Sequence, residues 1–437
     1  MNVHHLPRLL AALSLLSMAR LEAATEIQWW HAMTGPLNEK VNELATKFNA
    51  SQSEYKVVPV FKGNYDETLA AGIAAFRAKE APAILQVFEV GTATMMNATG
   101  AIRPVATIMK EAGETFDPKS YIPAVAGYYT SSKGEMLSFP FNSSTTVFYY
   151  NKDAFRQAGL DESKPPKTWP ELFKAAQKLK ESGHKAAFTT DWQSWVQLES
   201  FSAWHNTLFA TKDNGFGGTD ARLAFNSPTH VQHIANLQKM VQEGTFSYGG
   251  RKSESQAKFY TGECAMFMGS SASLAAIRKN AKFSFGVSTL PYYPEVKGAP
   301  QNTIIGGASL WVMNGRPAAE YKGVAKFFTF LSAPEIQADW HQATGYLPIT
   351  MAAYELTRKS GFYEKFPGAD VSVQQMVVKT TSKSRGVRLG SLPQIRTVVD
   401  EELEAVWAGK KSAKEALDTA VVRGNELLER FQKTAVN

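Results

Sequence analysis

Ser270 follows Gly269 and Ser271 begins the run SASLAAIRK, so the chain around Ser270-Ser271 reads as the opening of a helix. Free N–H groups and the positive end of the helix dipole at such a point attract an oxyanion. A serine that merely caps the helix would use the same letters. Gly306-Gly307, in IIGGASLWVM, carry no side chain to block close approach of a ligand to the backbone. The plainer alternative there is a strand bulge. Glu89 ends the apolar run AILQVF, at the carboxyl end of what reads as a parallel strand, where open α/β sheets present groups to ligands. Taken alone it is equally a solvated loop acid. Trp192 and Trp195, three apart in DWQSWVQ, could lay an indole face against a carbon skeleton. Core packing is the reading for Trp195 and ligand contact the reading for Trp192.

Bond-breaking chemistry finds less support. The histidines His31, His184, His205, His230, His233 and His341 are scattered. His230 and His233 share a helical face, but no carboxylate stands at the spacing that completes a familiar zinc site, so both are expected on the surface and no metal is expected. Neither G-x-S-x-G nor a P-loop occurs. A secreted phosphodiesterase or a glycosidase, whose two carboxylates need no fixed spacing, stays open as the enzyme alternative.

The chain of 437 residues carries a formal net charge of +7, a mild excess that fits an anionic small ligand or simply dispersed surface lysines. No basic run interleaved with aromatics marks a nucleic-acid surface. Cys264, the single cysteine, sits in ECAMFMG and reads as a buried core residue. Near the start, Arg8 precedes the apolar run Leu9–Ala19, and Glu22-Ala23-Ala24 supplies small residues for cleavage. These features predict a signal peptide over 1–24, export, and no lipid anchor, because no cysteine lies at the cleavage region. No later segment reaches the roughly 20 consecutive apolar residues of a spanning helix.

A mature chain of this size exceeds the roughly 250–300 residues at which a single core stops growing, so two lobes are expected. Strands are expected at 26–31, 55–61 and 83–88, with helices over 37–48 and 67–77 between them. That alternation predicts a parallel sheet. A second set comprises strands at 145–151 and 186–190, a helix after Thr168, where Glu171 completes a capping box, and a long helix from Ser227-Pro228 to Glu243. The segments 137–140 and 283–291 are candidate passages between lobes.

In order along the chain, FKGNYDETLAAGIAAFRAKEAPAILQVFEVGTATMM, FNSSTTVFYYNKDAFRQAGL, PPKTWPELFKAAQKL, DWQSWVQLESFSAWHN, IIGGASLWVM and HQATGYLPIT resemble the extracellular solute-binding proteins (family 1) that serve ABC importers, and within them the glycerol-phosphate receptors. The similarity runs from about Ile27 to Phe431; VKTTSKSR (378–385) is the part that matches least. The resemblance implies an α/β, two-lobe periplasmic binding protein fold, each lobe a mostly parallel sheet flanked by helices, with the ligand cleft between them. It implies lobe one at 25–140 and 291–334, and lobe two at 141–290 and 335–437. It further implies a monomeric, non-enzymatic periplasmic receptor without cofactor, which captures sn-glycerol-3-phosphate or glycerophosphodiesters for membrane permease subunits. The family's phosphate ligands fall on Tyr65, Ser144, Ser270, the Gly307 backbone, Tyr346 and Arg396, and its glycerol contacts on Glu89 and Trp192. Every group in the phosphate set is a hydrogen-bond donor, and a guanidinium fork suits phosphate oxygens. A salt bridge from Arg396 to Asp400 or Glu401 is the plainer role for that arginine. A receptor for an uncharged oligosaccharide is the alternative within the same fold.

Overall fold

The computed structural model describes residues 23–435; of the expected signal peptide, 1–22 lie outside them. Nine strands are present among the described residues: β1 (Thr25–His31), β2 (Tyr55–Phe61), β3 (Ile84–Phe88), β4 (Ile102–Arg103), β5 (Phe139–Asn151), β6 (Ala186–Thr190), β7 (Cys264–Ser270), β8 (Phe285–Ser288) and β9 (Ile305–Met313). They follow the order β2-β1-β3-β9-β5-β7-β6, with β4 added on β9 and β8 on β5. Helices α1 (Gly35–Ser51) and α2 (Tyr65–Ala78) carry the chain from β1 to β2 and from β2 to β3. β1 runs parallel to β2 and β3, and β6 parallel to β7.

The sheets are mixed, where mostly parallel ones were expected. β9 runs antiparallel to β3, β4 and β5, and β5 antiparallel to β7 and β8. A period-two pattern reveals a strand but not its direction, and both β5 and β9 enter their sheets after long excursions.

β5 is the strand that joins the two lobes. Phe139–Thr145 pairs with β9, and Thr146–Asn151 pairs with β7 and β8. At the change of partner, the Thr145 hydroxyl donates to the Ile304 carbonyl at 2.8 Å, and Gln375 Nε2 donates to the Thr146 carbonyl at 2.9 Å. The passage expected at 137–140 therefore lies a few residues later, because an uninterrupted strand gives no sequence signal where it changes sheets. Of the segment 283–291, Phe285–Ser288 is an edge strand of the second sheet; the chain reaches the first sheet again only at β9.

Helix α3 (Trp169–Glu181) starts as read: the Thr168 hydroxyl accepts from the Glu171 N–H, and the Glu171 carboxylate accepts from the Thr168 N–H at 3.0 Å. Helix α4 (Pro228–Gln242) has Pro228 in its first turn, but Ser227 does not cap it; its hydroxyl bonds His230 Nδ1 at 2.7 Å. His230 and His233, expected on the surface, are fully buried. Ser202 Oγ meets His230 Nε2 at 2.8 Å, Gln197 Oε1 meets His233 Nε2 at 3.0 Å, and Phe201 stacks on the His233 ring at 4.0 Å. Their helical face packs inward, and burial lowers the His230 pKa to about 3.

Helix α5 (Ser273–Asn280) follows β7, and helix α6 (Pro334–Thr344) follows the second passage. α6 was expected with lobe two. Instead Trp340 lies against Phe141 at 4.7 Å between centroids and shares a core with Phe328 beneath the first sheet. The C-terminal part contributes α7 (Leu392–Trp407), whose Leu392, Ile395 and Leu403 pack in the core of the second lobe. β9 shows how one strand serves two cores: Leu310 and Val312 join the first, while Trp311 and Met313 face the other way.

Candidate ligand-binding site

A cavity of about 540 Å3 opens between the lobes, and Tyr65, Glu89, Ser144, Trp192, Ser270, Gly307, Tyr346 and Arg396 all line it. Residues hundreds of positions apart thus meet in one place. Strand ends deliver much of the set: Glu89 follows β3, Trp192 follows β6, and Ser270 ends β7. Ser144 and the Gly306-Gly307 pair stand where β5 and β9 lie side by side, in register Ser144 with Gly306 and Ser143 with Gly307. Gly307 has φ +83°, and a Cβ there would come within 1.9 Å of the Asn142 carbonyl oxygen. Only glycine fits.

The helix expected to open at Ser270-Ser271 begins later. Ser270 is still strand, its hydroxyl accepts from the Ala272 N–H at 3.1 Å, and α5 starts at Ser273 with no side-chain cap. α1 likewise starts without a side-chain cap, and Thr34, Gly35 and Pro36 line the cavity beside Ala272 and Ser273. Two helix starts without side-chain caps therefore bring their positive dipole ends to the same space. α2, by contrast, is closed by the Asn64–Glu67 capping box.

Aromatic hydroxyls supply further donors. Asn142 Nδ2 donates to Tyr65 Oη at 3.0 Å, and the Tyr65 ring stacks on Phe88 at 5.2 Å. Tyr346 stacks on Trp340 at 5.7 Å. Burial raises the pKa of both tyrosines, so both stay protonated donors at neutral pH. Trp192 adopts the left-handed φ of +43°, an uncommon backbone state for a large residue, and its N–H donates to the Lys252 carbonyl at 2.9 Å. Trp195 also lines the cavity but is buried, its ring lying where a Cβ on Gly306 would approach to 2.4 Å.

Arg396 is engaged differently from the plain expectation. Its partners are not Asp400 or Glu401 but Glu89, at 2.6 Å from Nη2, and Glu199, at 2.7 Å from Nε and 2.9 Å from Nη2. Glu401 pairs instead with Arg423. Desolvation alone would lower the pKa of this buried guanidinium, yet Glu199 and Glu89 hold it above its ordinary value. Burial pushes the Glu89 carboxyl up, against the pull of Arg396. Three charged side chains thus form one unit with a net negative charge at one end of the cavity. The serines, the glycine backbone, the tyrosines and the helix starts occupy its other linings.

Ion pairs also join the lobes at the rim: Lys252 with Asp66, and Lys279 with Glu39 at 3.7 Å. Sequence reasoning missed Asn142, Glu199, Lys252 and the α1 start. Glu199 lies within the quoted DWQSWVQLES stretch, but no spacing rule links it to an arginine 197 positions away.

A cleft between two α/β lobes, lined by hydrogen-bond donors from both, offers a place where a small polar molecule can be held. The chain belongs to the bacterial extracellular solute-binding proteins, whose family model matches residues 43–368. It is 59% identical over 425 residues to the sn-glycerol-3-phosphate-binding periplasmic protein UgpB of Escherichia coli strain K12, across 97% of each chain. The Salmonella typhimurium protein of the same name is 58% identical over 426 residues, again with 97% of each covered. Among solved structures, UgpB of Mycobacterium tuberculosis in complex with glycerophosphocholine superposes with a TM-score of 0.78 at 22% identity, covering 93% of this chain and 99% of that one. The cyclic α-maltosyl-1,6-maltose binding protein of Arthrobacter globiformis gives 0.74 at 21% identity, covering 93% and 100%. These two establish the fold.

Proposed function

We propose that this chain is a periplasmic receptor that captures sn-glycerol-3-phosphate, or a glycerophosphodiester such as glycerophosphocholine, and delivers it to the permease subunits of an ABC importer. It acts as a monomer, without cofactor and without turnover. The observation that carries this reading is the convergence of neutral donors and two uncapped helix starts on one cavity, set against a carboxylate-rich end. Ser144, Ser270, the Gly307 N–H, Tyr65 and Tyr346 hold the phosphate oxygens. Glu89 accepts from glycerol hydroxyls, Trp192 covers the carbon skeleton, and Arg396, clamped by Glu89 and Glu199, offers its remaining N–H groups to the ligand. The relatives' names, at 58% and 59% identity over nearly the whole chain, point the same way.

Because the donors come from both lobes, ligand binding closes the cleft, and the rim pairs Lys252–Asp66 and Lys279–Glu39 form in that closed state. Calorimetry should give saturable binding of sn-glycerol-3-phosphate and none of maltose, with small-angle scattering showing a smaller radius when ligand is added. Binding of maltose alone, or an unchanged radius at saturation, would refute this reading.

Glu89→Gln tests the division of labour. The amide keeps the shape but loses the charge, and its donor end can face a hydroxyl, so glycerol phosphate should bind about 1–3 kcal/mol more weakly. Part of that loss is offset because one negative charge no longer repels the anion. Inorganic phosphate, if titrated in parallel, should be affected little; an equal loss for both would make Glu89 a purely structural residue.

A further inference from the structure

The chain passes between the lobes three times, and one buried residue touches all three passages. β5 makes the first, at Thr145 and Thr146, and residues 289–304, between β8 and β9, make the second. The third returns from α6 beneath the first sheet to α7 in the second lobe. Its short helix Val371–Gln374 sits between two cores: Val371 shares one with Phe267 of β7, whereas Val373 and Met376 share the other with Trp340 of α6.

Gln375 follows that helix and is 2% exposed. Its Nε2 donates to the Thr146 carbonyl at 2.9 Å, its Oε1 accepts from the Leu290 N–H at 3.1 Å, and its own carbonyl accepts from the Thr303 N–H at 3.3 Å. A single residue of the third passage therefore holds the first where it changes sheets and the second at both of its ends. Beside it the Thr145 and Thr303 hydroxyls lie 2.6 Å apart, and Asn302 Nδ2 donates to the Ser384 carbonyl at 2.8 Å, which ties the second passage to the third again. Gln375 stands outside the lining of the ligand cavity.

We infer that Gln375 is a positioning residue that sets ligand affinity from outside the cavity, by holding the three passages in the arrangement that brings the lobes together. This rests on the reading of the cleft as a ligand site that closes on binding. Leu290 lies where the chain leaves the second lobe and Thr303 where it enters the first, so turning one lobe against the other moves these points and Thr146 relative to one another. A side chain with a contact at each end of its amide, and a third contact on its own backbone, cannot follow all three. Gln375 is satisfied in the same arrangement in which the rim pairs Lys252–Asp66 and Lys279–Glu39 are made. Buried amide groups left without partners disfavour any other. A shift of this population changes the apparent affinity for every ligand by one factor, because the contacts to the ligand are untouched.

The test titrates sn-glycerol-3-phosphate and glycerophosphoglycerol calorimetrically into the full-length mature protein and its variants. Gln375→Met keeps the length of the side chain and removes both of its hydrogen bonds; it should weaken the two ligands by the same factor, about tenfold. Thr303→Val removes only the hydroxyl contact to Thr145 and should weaken both about threefold. Small-angle scattering of either variant saturated with ligand should return the radius of the saturated unaltered protein. Ser144 stands two residues from Thr146, so the Gln375→Met loss is measured again on Ser144→Ala, where it should persist in full. Its disappearance there would overturn the inference and make Gln375 a local support of Ser144. Unequal factors for the two ligands would overturn it as well, and so would a lowered melting temperature with unchanged affinity. Should Gln375→Met not fold, Thr303→Val decides alone, unchanged affinity sinking the idea. Binding of neither ligand by the unaltered protein would refute the proposed function and this inference with it, whereas normal binding by the unaltered protein and both variants would overturn the inference alone.

Discussion

Arg396→Ala is expected to abolish high-affinity binding and to weaken the fold at the same time. The side chain is buried between Glu89 at 2.6 Å and Glu199 at 2.7 Å. Removing it leaves two carboxylates facing each other in a desolvated space, and removing one partner of a buried, hydrogen-bonded charge group costs about 3–5 kcal/mol of stability. One carboxyl will take up a proton in response, which limits the loss but destroys the acceptor geometry at Glu89. Ligand affinity should fall by about 2–5 kcal/mol. Arg396→Lys should recover only part of either quantity, since one ammonium cannot offer two forked contacts in fixed planes. Adding Glu199→Gln to the alanine variant should restore stability more than affinity, because it removes the surplus charge without returning a donor to the ligand. Urea unfolding and calorimetry on the set would decide. An alanine variant with unaltered stability would mean that the triad is not held together in solution.

Gly307→Ala should be the other severe substitution, although it adds a single methyl group. At φ +83° an alanine is strained wherever it stands, and here its Cβ would sit 1.9 Å from the carbonyl oxygen of Asn142. That atom belongs to β5, so it can retreat only if β5 and β9 part at the point where they present Ser144 and the Gly307 N–H to the cavity. Strain and displacement together should cost on the order of 3–5 kcal/mol of stability. Asn142 also anchors Tyr65, at 3.0 Å, so movement there reaches a second donor. The expected result is a lowered melting temperature with at least a hundredfold loss of ligand affinity. Ala308, the next residue, already carries a Cβ in the same strand and marks how local the requirement is.

The sequence by itself determined the local elements and the residue types of the site. β2 and β6 lie where the apolar alternation placed them, and Thr168 with Glu171 starts α3 as the spacing required. These features depend on neighbours a few positions apart, and a linear chain displays them directly. The motifs also carried the resemblance that named eight residues, each of which lines the cavity along with others it did not name. What the tertiary structure alone decided were relations across long separations. The antiparallel courses of β5 and β9, the change of sheet within β5, and the seating of α6 under the first lobe are choices of partner, and a strand's own pattern fits several partners equally. His230 and His233 read as surface residues because no carboxylate stood at the spacing of a zinc site, yet Ser202, Ser227 and Gln197 pair with their ring nitrogens inside the fold. The decisive case is Arg396. Its sequence neighbours Asp400 and Glu401 seemed natural partners, but its guanidinium points into the cleft to Glu89 and Glu199, residues 307 and 197 positions away. An ion pair buried at a lobe interface is fixed by where the chain's distant parts come to rest, and no spacing along the chain records that.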